Sequence, residues 1–177
     1  SVAARIQGAD VIRVPLKAEA GFAIDEQALL ASCTPNVKLV FLCSPNNPTG
    51  NLIPEAVLLR LAQALEGRAL LVIDEAYLEL AAAPSMARHI ATLPHVAVLK
   101  TLSKAHGLAG ARCGTLIAAP EIIQLLRKVI PPYALSQLTI EVVLEQLQPA
   151  RLASMRARIE EIRSERERLA TALRQSA

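Results

Sequence analysis

The sequence predicts an α/β domain built on a mostly parallel sheet. Short, almost continuously apolar runs rich in Val, Ile and Leu recur along the chain. Helical stretches separate them, and the residues with the most chemistry fall just after the runs. Runs of this kind suit strands covered on both faces, and their alternation with helices calls for right-handed crossovers. The 177 residues are 53% hydrophobic, enough for one buried core and too apolar for a disordered segment.

Taken in order, residues 12–15 and 38–43 read as the first two strands. Pro54 then opens a helix where its missing N–H costs nothing, and residues 55–66 follow with helical spacing. Residues 69–73 and 95–99 are the next strands, and residues 113–118 a fifth. Pro120 opens a helix over 121–130, and the character changes after Pro131-Pro132. Residues 137–147 are expected to be helical. From Pro149 to about residue 173 the chain reads as one long amphipathic helix, with Leu152, Met155, Ile159, Ile162, Leu169 and Leu173 at helical spacing.

Composition removes several function classes. The net charge is +3, and the arginines between residues 151 and 174 alternate with Glu160, Glu161, Glu165 and Glu167. That is a solvated helix face laced with ion pairs, whereas a nucleic-acid stripe would lack the acids. Two Tyr, two Phe and no Trp leave no stacking platform for bases, so no nucleic-acid partner is expected. No apolar run approaches membrane-spanning length, and Ser1-Val2-Ala3-Ala4-Arg5 does not read as a secretory signal. Cys33, Cys43 and Cys113 are scattered, odd in number and without metal-ligand spacing; His89, His95 and His106 form no cluster. Reduced thiols, a cytoplasmic location and no metal are the expectations.

Three segments carry chemistry, each at a loop after a strand, where open α/β sheets hold their ligands. Ser44-Pro45-Asn46-Asn47-Pro48-Thr49-Gly50 is the first, and its composition also suits an ordinary turn. The second, Asp74-Glu75-Ala76-Tyr77, sets an acid at the end of a buried strand. Such an acid needs a cation or donor to meet it, or else serves as a helix N-cap. The third is Thr101-Leu102-Ser103-Lys104, with Arg112 eight residues on and glycines at 107, 110 and 114. Hydroxyls, an ammonium and a guanidinium among small residues suit a phosphate. The lysine precedes the glycines, which is not the order of an ATP-binding P-loop, and a surface lysine is the plainer alternative.

Together the three segments, SPNNPTG (44–50), DEAY (74–77) and TLSKAHGLAGARCG (101–114), resemble the fold-type I aminotransferases that use pyridoxal 5′-phosphate (PLP). Within them they resemble the histidinol-phosphate aminotransferase family. The likeness continues through residues 128–136 into the long helix. It implies a three-layer αβα large domain with a mostly parallel sheet. Residues 1–148 would be the central part of that PLP-binding domain, and 149–177 an interdomain helix leading toward a small domain outside this chain. Lys104 would be joined to the cofactor and would then act as general base and acid, for which a neutral amine is needed. Asp74 would pair with the pyridine nitrogen and keep it protonated, so that the ring accepts electrons. Asn47 and Tyr77 would hydrogen-bond the ring's 3′-oxygen. Thr101, Ser103 and Arg112 would hold the phosphate.

The resemblance further implies a homodimer with shared active sites, and transfer of an amino group from L-histidinol phosphate to 2-oxoglutarate in histidine biosynthesis. His106 and Gly107 depart from the Phe and Ala frequent after the family's lysine, and His106 is expected to be a packing or surface variation. Glu75 is expected to be a structural neighbour of Asp74, and Tyr133 a core, hinge or substrate-side residue. Family members extend beyond both ends of this sequence and place a phosphate-binding turn, a ring-stacking aromatic and a carboxylate-binding arginine there. Residues 1–177 are therefore expected to be a piece of a longer enzyme. Other readings are an aromatic or broad-specificity aminotransferase, a threonine-phosphate decarboxylase, a non-catalytic PLP-binding module, or a folded scaffold that binds no cofactor.

Overall fold

The computed structural model describes residues 2–176. Helix α1 (Val2–Ile6) leads through a connection with one 3-10 turn (Ala18–Ala20) to α2 (Glu26–Ser32), strand β1 (Leu39–Cys43), α3 (Glu55–Leu65) and β2 (Leu70–Asp74). The short α4 (Leu78–Ala81), β3 (Val96–Thr101) and β4 (Gly114–Ile117) come next. The chain ends in α5 (Pro120–Arg127), α6 (Gln137–Gln146) and α7 (Pro149–Gln175). The strands lie in sequence order, β1 parallel to β2, β2 parallel to β3, and β4 antiparallel to β3. The fold is therefore α/β with a mostly parallel sheet, as the apolar runs predict.

The core sits on one face of that sheet. Leu58, Leu61, Ala62 and Leu65 recur at helical spacing along α3 and are buried. They cluster with Val40 and Leu42 of β1, Leu71 and Ile73 of β2, and Val96 and Val98 of β3. Apolar burial at these positions is the main favourable term holding the layers together. Pro54 lies one residue before α3, as its N-cap, and its carbonyl accepts from the Val57 and Leu58 N–H groups. Pro120 and Pro149 do occupy the first helical position of α5 and α7. Helix α2, which no apolar periodicity announces, starts at Asp25, whose carboxylate accepts from the Ala28 N–H at 3.0 Å. That bond, with the Lys17 ammonium beside it, holds the Asp25 carboxyl below its ordinary range.

Three expectations need correction. Residues 12–15 belong to no strand, and Ile12 is 58% exposed. A strand requires a ladder partner, and none of the described residues provides one there. On β1 the alternate residues Leu39 and Phe41 are 52% and 63% exposed, so only its α3-facing side is covered within the described residues. Tyr133 is neither core nor hinge-packed, being 98% exposed. The long helix forms as expected, about 40 Å of it at 1.5 Å per residue. Met155 and Ile159 are buried on it, while Ile162, Leu169 and Leu173 are exposed. Its charges pair as the alternation suggests, Arg168 with Glu165 and Arg163 with Glu160.

The β3–β4 crossing is the tightest backbone approach at any glycine. A Cβ at Gly114 would stand 2.9 Å from the Lys100 carbonyl, a main-chain atom that no rotamer change can move away. Gly114→Ala should therefore force β4 off β3 and cost about 1–3 kcal/mol, lowering the denaturation midpoint. An unchanged midpoint would show that the two strands tolerate a side chain there.

Candidate active site

The site is set by strand register. Cys43 pairs with Asp74, so β1 and β2 end level, while Asp74 pairs with Leu99 and β3 runs two residues further, to Thr101. Each is followed by one of the three chemical segments. The antiparallel β4 adds the fourth contribution: Gly114 pairs with Thr101, so the turn carrying Arg112 returns to the same edge.

The SPNNPTG segment is a closed turn with its own scaffold. The Asn46 N–H donates to the Asn51 carbonyl and the Gly50 N–H to the Asn46 carbonyl, both at 2.8 Å. Asn46 Nδ2 also donates to Thr49 Oγ1, and Gly50 takes a left-handed φ of 74°. Ser44 is buried, and its Oγ accepts from the Ile53 N–H. These bonds use Asn46 and leave Asn47 outside the turn's network, exposed and reaching across to β2's end. There its Nδ2 donates to the Tyr77 hydroxyl oxygen at 3.2 Å. Tyr77 accepts in that bond, so its own O–H remains available to donate.

Asp74 is the last residue of β2 and half-buried. Its Oδ1 accepts from the Ala76 N–H at 2.9 Å, closing a local side-chain turn. The helix that follows is capped by Tyr77, so Asp74 is not a helix N-cap. Among the described residues no cation pairs with it. A half-buried carboxylate with one oxygen bonded and no cation is suited to a ring N–H⁺. Asp74 is felt across the register at Cys43. Burial pushes that thiol up, the Asn47 backbone N–H pulls it partly back, and the Asp74 carboxylate pushes it up again.

Lys104 is exposed and lies over the Tyr77 ring, its Nζ 5.1 Å from the ring centroid, within cation–π reach. Asn47, Tyr77 and Lys104, from three separate loops, thus form one contact chain. Thr101 is the last residue of β3, two beyond the expected end of that strand. Its Oγ1 accepts from the Ser103 N–H at 3.1 Å, which leaves the Thr101 hydroxyl proton free to donate. Arg112 is left-handed at φ 52°, ψ 36°, a conformation costing a non-glycine residue about 1–2 kcal/mol. Its Nη1 donates to the Ala109 carbonyl at 3.0 Å, and the rest of its donor fork has no partner among the described residues. Two hydroxyls, a lysine and a partly free guanidinium at one sheet edge fit a phosphate-bearing cofactor, and Asp74 fits its ring nitrogen. Among the described residues no hydrogen bond joins the Arg112 guanidinium or the Ser103 hydroxyl to the Lys104 ammonium.

His106 is half-buried, with an Nδ1 that has no hydrogen-bond partner. Glu75 is fully engaged as a structural acid: its Oε1 accepts from the Met86 N–H at 2.8 Å and its Oε2 from Ser85 Oγ at 2.6 Å. Lys100 and Glu79 are close neighbours of the site that no motif marks. Among the described residues, no group of three or more His, Cys, Asp or Glu gathers as metal ligands, and no helix is long and apolar enough to cross a membrane.

The proximity of Asp74 to Cys43 is open to a direct check. Asp74→Asn should lower the thiol's pKa and speed alkylation of Cys43 at mildly alkaline pH in the cofactor-free protein. Mass mapping would separate it from the buried Cys33 and Cys113. Equal rates in both proteins would place the carboxylate away from the thiol.

Known proteins resemble this chain in both sequence and fold. The histidinol-phosphate aminotransferase of Stenotrophomonas maltophilia (strain R551-3) is 48% identical over 98% of this chain, which covers 48% of that protein. That of Yersinia enterocolitica is 42% identical over the whole chain, which covers 46% of that protein. The chain thus spans about half the length of the curated relatives it matches. Among solved structures, the histidinol-phosphate aminotransferase of Sinorhizobium meliloti in complex with pyridoxal-5′-phosphate superposes with a TM-score of 0.81 at 29% identity. That likeness covers 95% of this chain and 45% of the other. A Thermus thermophilus aspartate aminotransferase double mutant gives 0.80 at 27% identity, over 93% of this chain and 44% of the other. Residues 1–176 match the aminotransferase class I and II family, and the chain belongs to it.

Proposed function

We propose that this chain is the cofactor-holding half of a PLP-dependent aminotransferase that moves an amino group from L-histidinol phosphate to 2-oxoglutarate. The products are imidazole-acetol phosphate and glutamate. The contact chain Asn47–Tyr77–Lys104 beside the unpaired Asp74 carries the cofactor reading. The substrate reading is supported by the names of relatives at 42–48% identity. Residues 1–148 form the central part of the PLP-binding large domain, and 149–177 the helix leading toward a small domain. The working unit is a cytoplasmic homodimer serving histidine biosynthesis, with a small-molecule amino donor and a 2-oxo acid as its partners.

Bound PLP supplies an electron sink that stabilises negative charge at the amino donor's Cα. The protein's share is positioning and proton movement. Lys104 would anchor the cofactor through Nζ and, as a neutral amine, would carry the proton between the donor's Cα and the cofactor's C4′. Asp74 holds the proton on the pyridine nitrogen, which strengthens the pull on electrons. Tyr77 donates its free O–H to the ring's 3′-oxygen, and Asn47 holds the phenol in place. Thr101, Ser103 and the open fork of Arg112 grip the phosphate.

The test is the visible absorption spectrum of the full-length protein with PLP, followed by histidinol phosphate, with Lys104→Ala as control. A cofactor band that requires Lys104 and converts on adding histidinol phosphate is expected. A band that converts only with another amino donor would overturn the substrate reading. No Lys104-dependent band would overturn the cofactor reading.

A further inference from the structure

A second ionic assembly lies beside the proposed cofactor residues without including any of them. Glu75, 2% exposed, receives the Ser85 hydroxyl and the Met86 N–H. Lys100, on β3, stands 3.5 Å from Glu75 Oε2 and 2.9 Å from Glu79 Oε1. It thereby ties β3 to α4. The far end of α4 is held from the opposite side of the sequence. Arg163 of α7 donates through Nη2 to the Glu79 carbonyl and through Nε to the Leu80 carbonyl, the latter at 3.3 Å. Arg163 follows Met155 and Ile159 at steps of four, so one stripe of α7 carries two buried apolar side chains and then the guanidinium. Its side chain is 20% exposed, unlike the open arginines Arg166 and Arg168.

These contacts matter because α4 has four residues. One helical turn is unstable by itself, and its last carbonyls lack partners within the helix. Lys100 holds its middle, and Arg163 supplies donors to two of those carbonyls. The residue that caps α4 is Tyr77. Whatever displaces α4 displaces the ring under Lys104 and the hydroxyl that receives Asn47.

We propose that Arg163 is a positioning residue: by holding α4 from the long helix, it fixes Tyr77 against Asn47 and Lys104. The effect on the cofactor rests on the proposed role of Tyr77; the hold on α4 does not. Donation from the Tyr77 O–H to the ring oxygen stabilises that oxygen's negative charge and so weakens its hold on a proton at the Lys104 nitrogen. Loss of Tyr77's placement should therefore raise the pH at which the cofactor band titrates.

The test compares Arg163→Met with wild type in the full-length protein, with two readouts. In the cofactor-free protein, amide exchange should rise across residues 75–83 while residues 39–43 stay protected. In the PLP-loaded protein, the pH midpoint of the cofactor band should move up by about half to one unit, the size of one hydrogen bond. Arg163→Lys should restore part of both effects, and it carries the comparison should Arg163→Met fail to fold. Glu160→Gln, which removes only the surface ion pair of Arg163, should change neither. An unshifted midpoint, or exchange rising evenly across the sheet, would reduce Arg163 to a general stabiliser and overturn the proposal. A wild-type protein without a Lys104-dependent band would instead defeat the cofactor reading, and the exchange data would then decide the hold on α4 alone.

Discussion

Strands β1 and β2 end level and β3 runs two residues beyond them, because Cys43 pairs with Asp74 and Asp74 with Leu99, and the rest of the site hangs on that register. Side chains alternate faces along a strand, so a slip of one residue would turn Asp74 to the other side of the sheet. It would also bury what should be solvated and expose part of the core. The register is defended by that core, where Leu71, Ile73, Val96 and Val98 are fully buried beneath α3. Stability and chemistry are thus enforced by the same packing. An acid can be held at the strand end without a cation because the apolar layer beneath it leaves the backbone little choice.

Around this fixed edge the remaining groups are placed by loops with local hydrogen-bond scaffolds. The turn at 44–50 spends Asn46 on its own closure and presents Asn47. The bond from the Ala76 N–H to Asp74 turns the chain so that Tyr77 comes back over the site. The antiparallel β4 is what brings Arg112 to the same edge, at the cost of a left-handed arginine. Strain of this kind persists where surrounding structure over-determines it, and here it leaves a partly free donor fork at the edge that carries Asp74 and Lys104.

Much of this could be read from the residues. SPNNPTG, DEAY and TLSK stood out because each combines turn formers or strand ends with groups that are costly to leave unmet. The strands at 38–43, 69–73, 95–99 and 113–118 were legible to within a residue or two because their apolar runs are continuous. The direction of β4 was not, since a period-two pattern is the same run either way. Residues 12–15 look like a strand locally, but a strand exists only with a ladder partner. Helix α4 is too short to have a period. Arg163 was hidden among alternating Arg and Glu that look uniformly solvated; only the 3.6-residue phase from Met155 and Ile159 separates it from Arg166 and Arg168. Lys100, four residues before Lys104, carries no mark in its neighbours that tells structural lysine from reactive one.

That last pair provides the sharpest discrimination. Borohydride reduction of the PLP-loaded full-length protein, followed by peptide mass mapping, records which lysine nitrogen is joined to the cofactor. Lys100 is held between Glu75 and Glu79 by ion pairing, whereas Lys104 lies free over Tyr77. A pyridoxyl mass confined to Lys104 is the predicted result. The same mass on Lys100, or spread over several lysines, would contradict the placement of the active centre at the edge that Asn47, Asp74 and Tyr77 define.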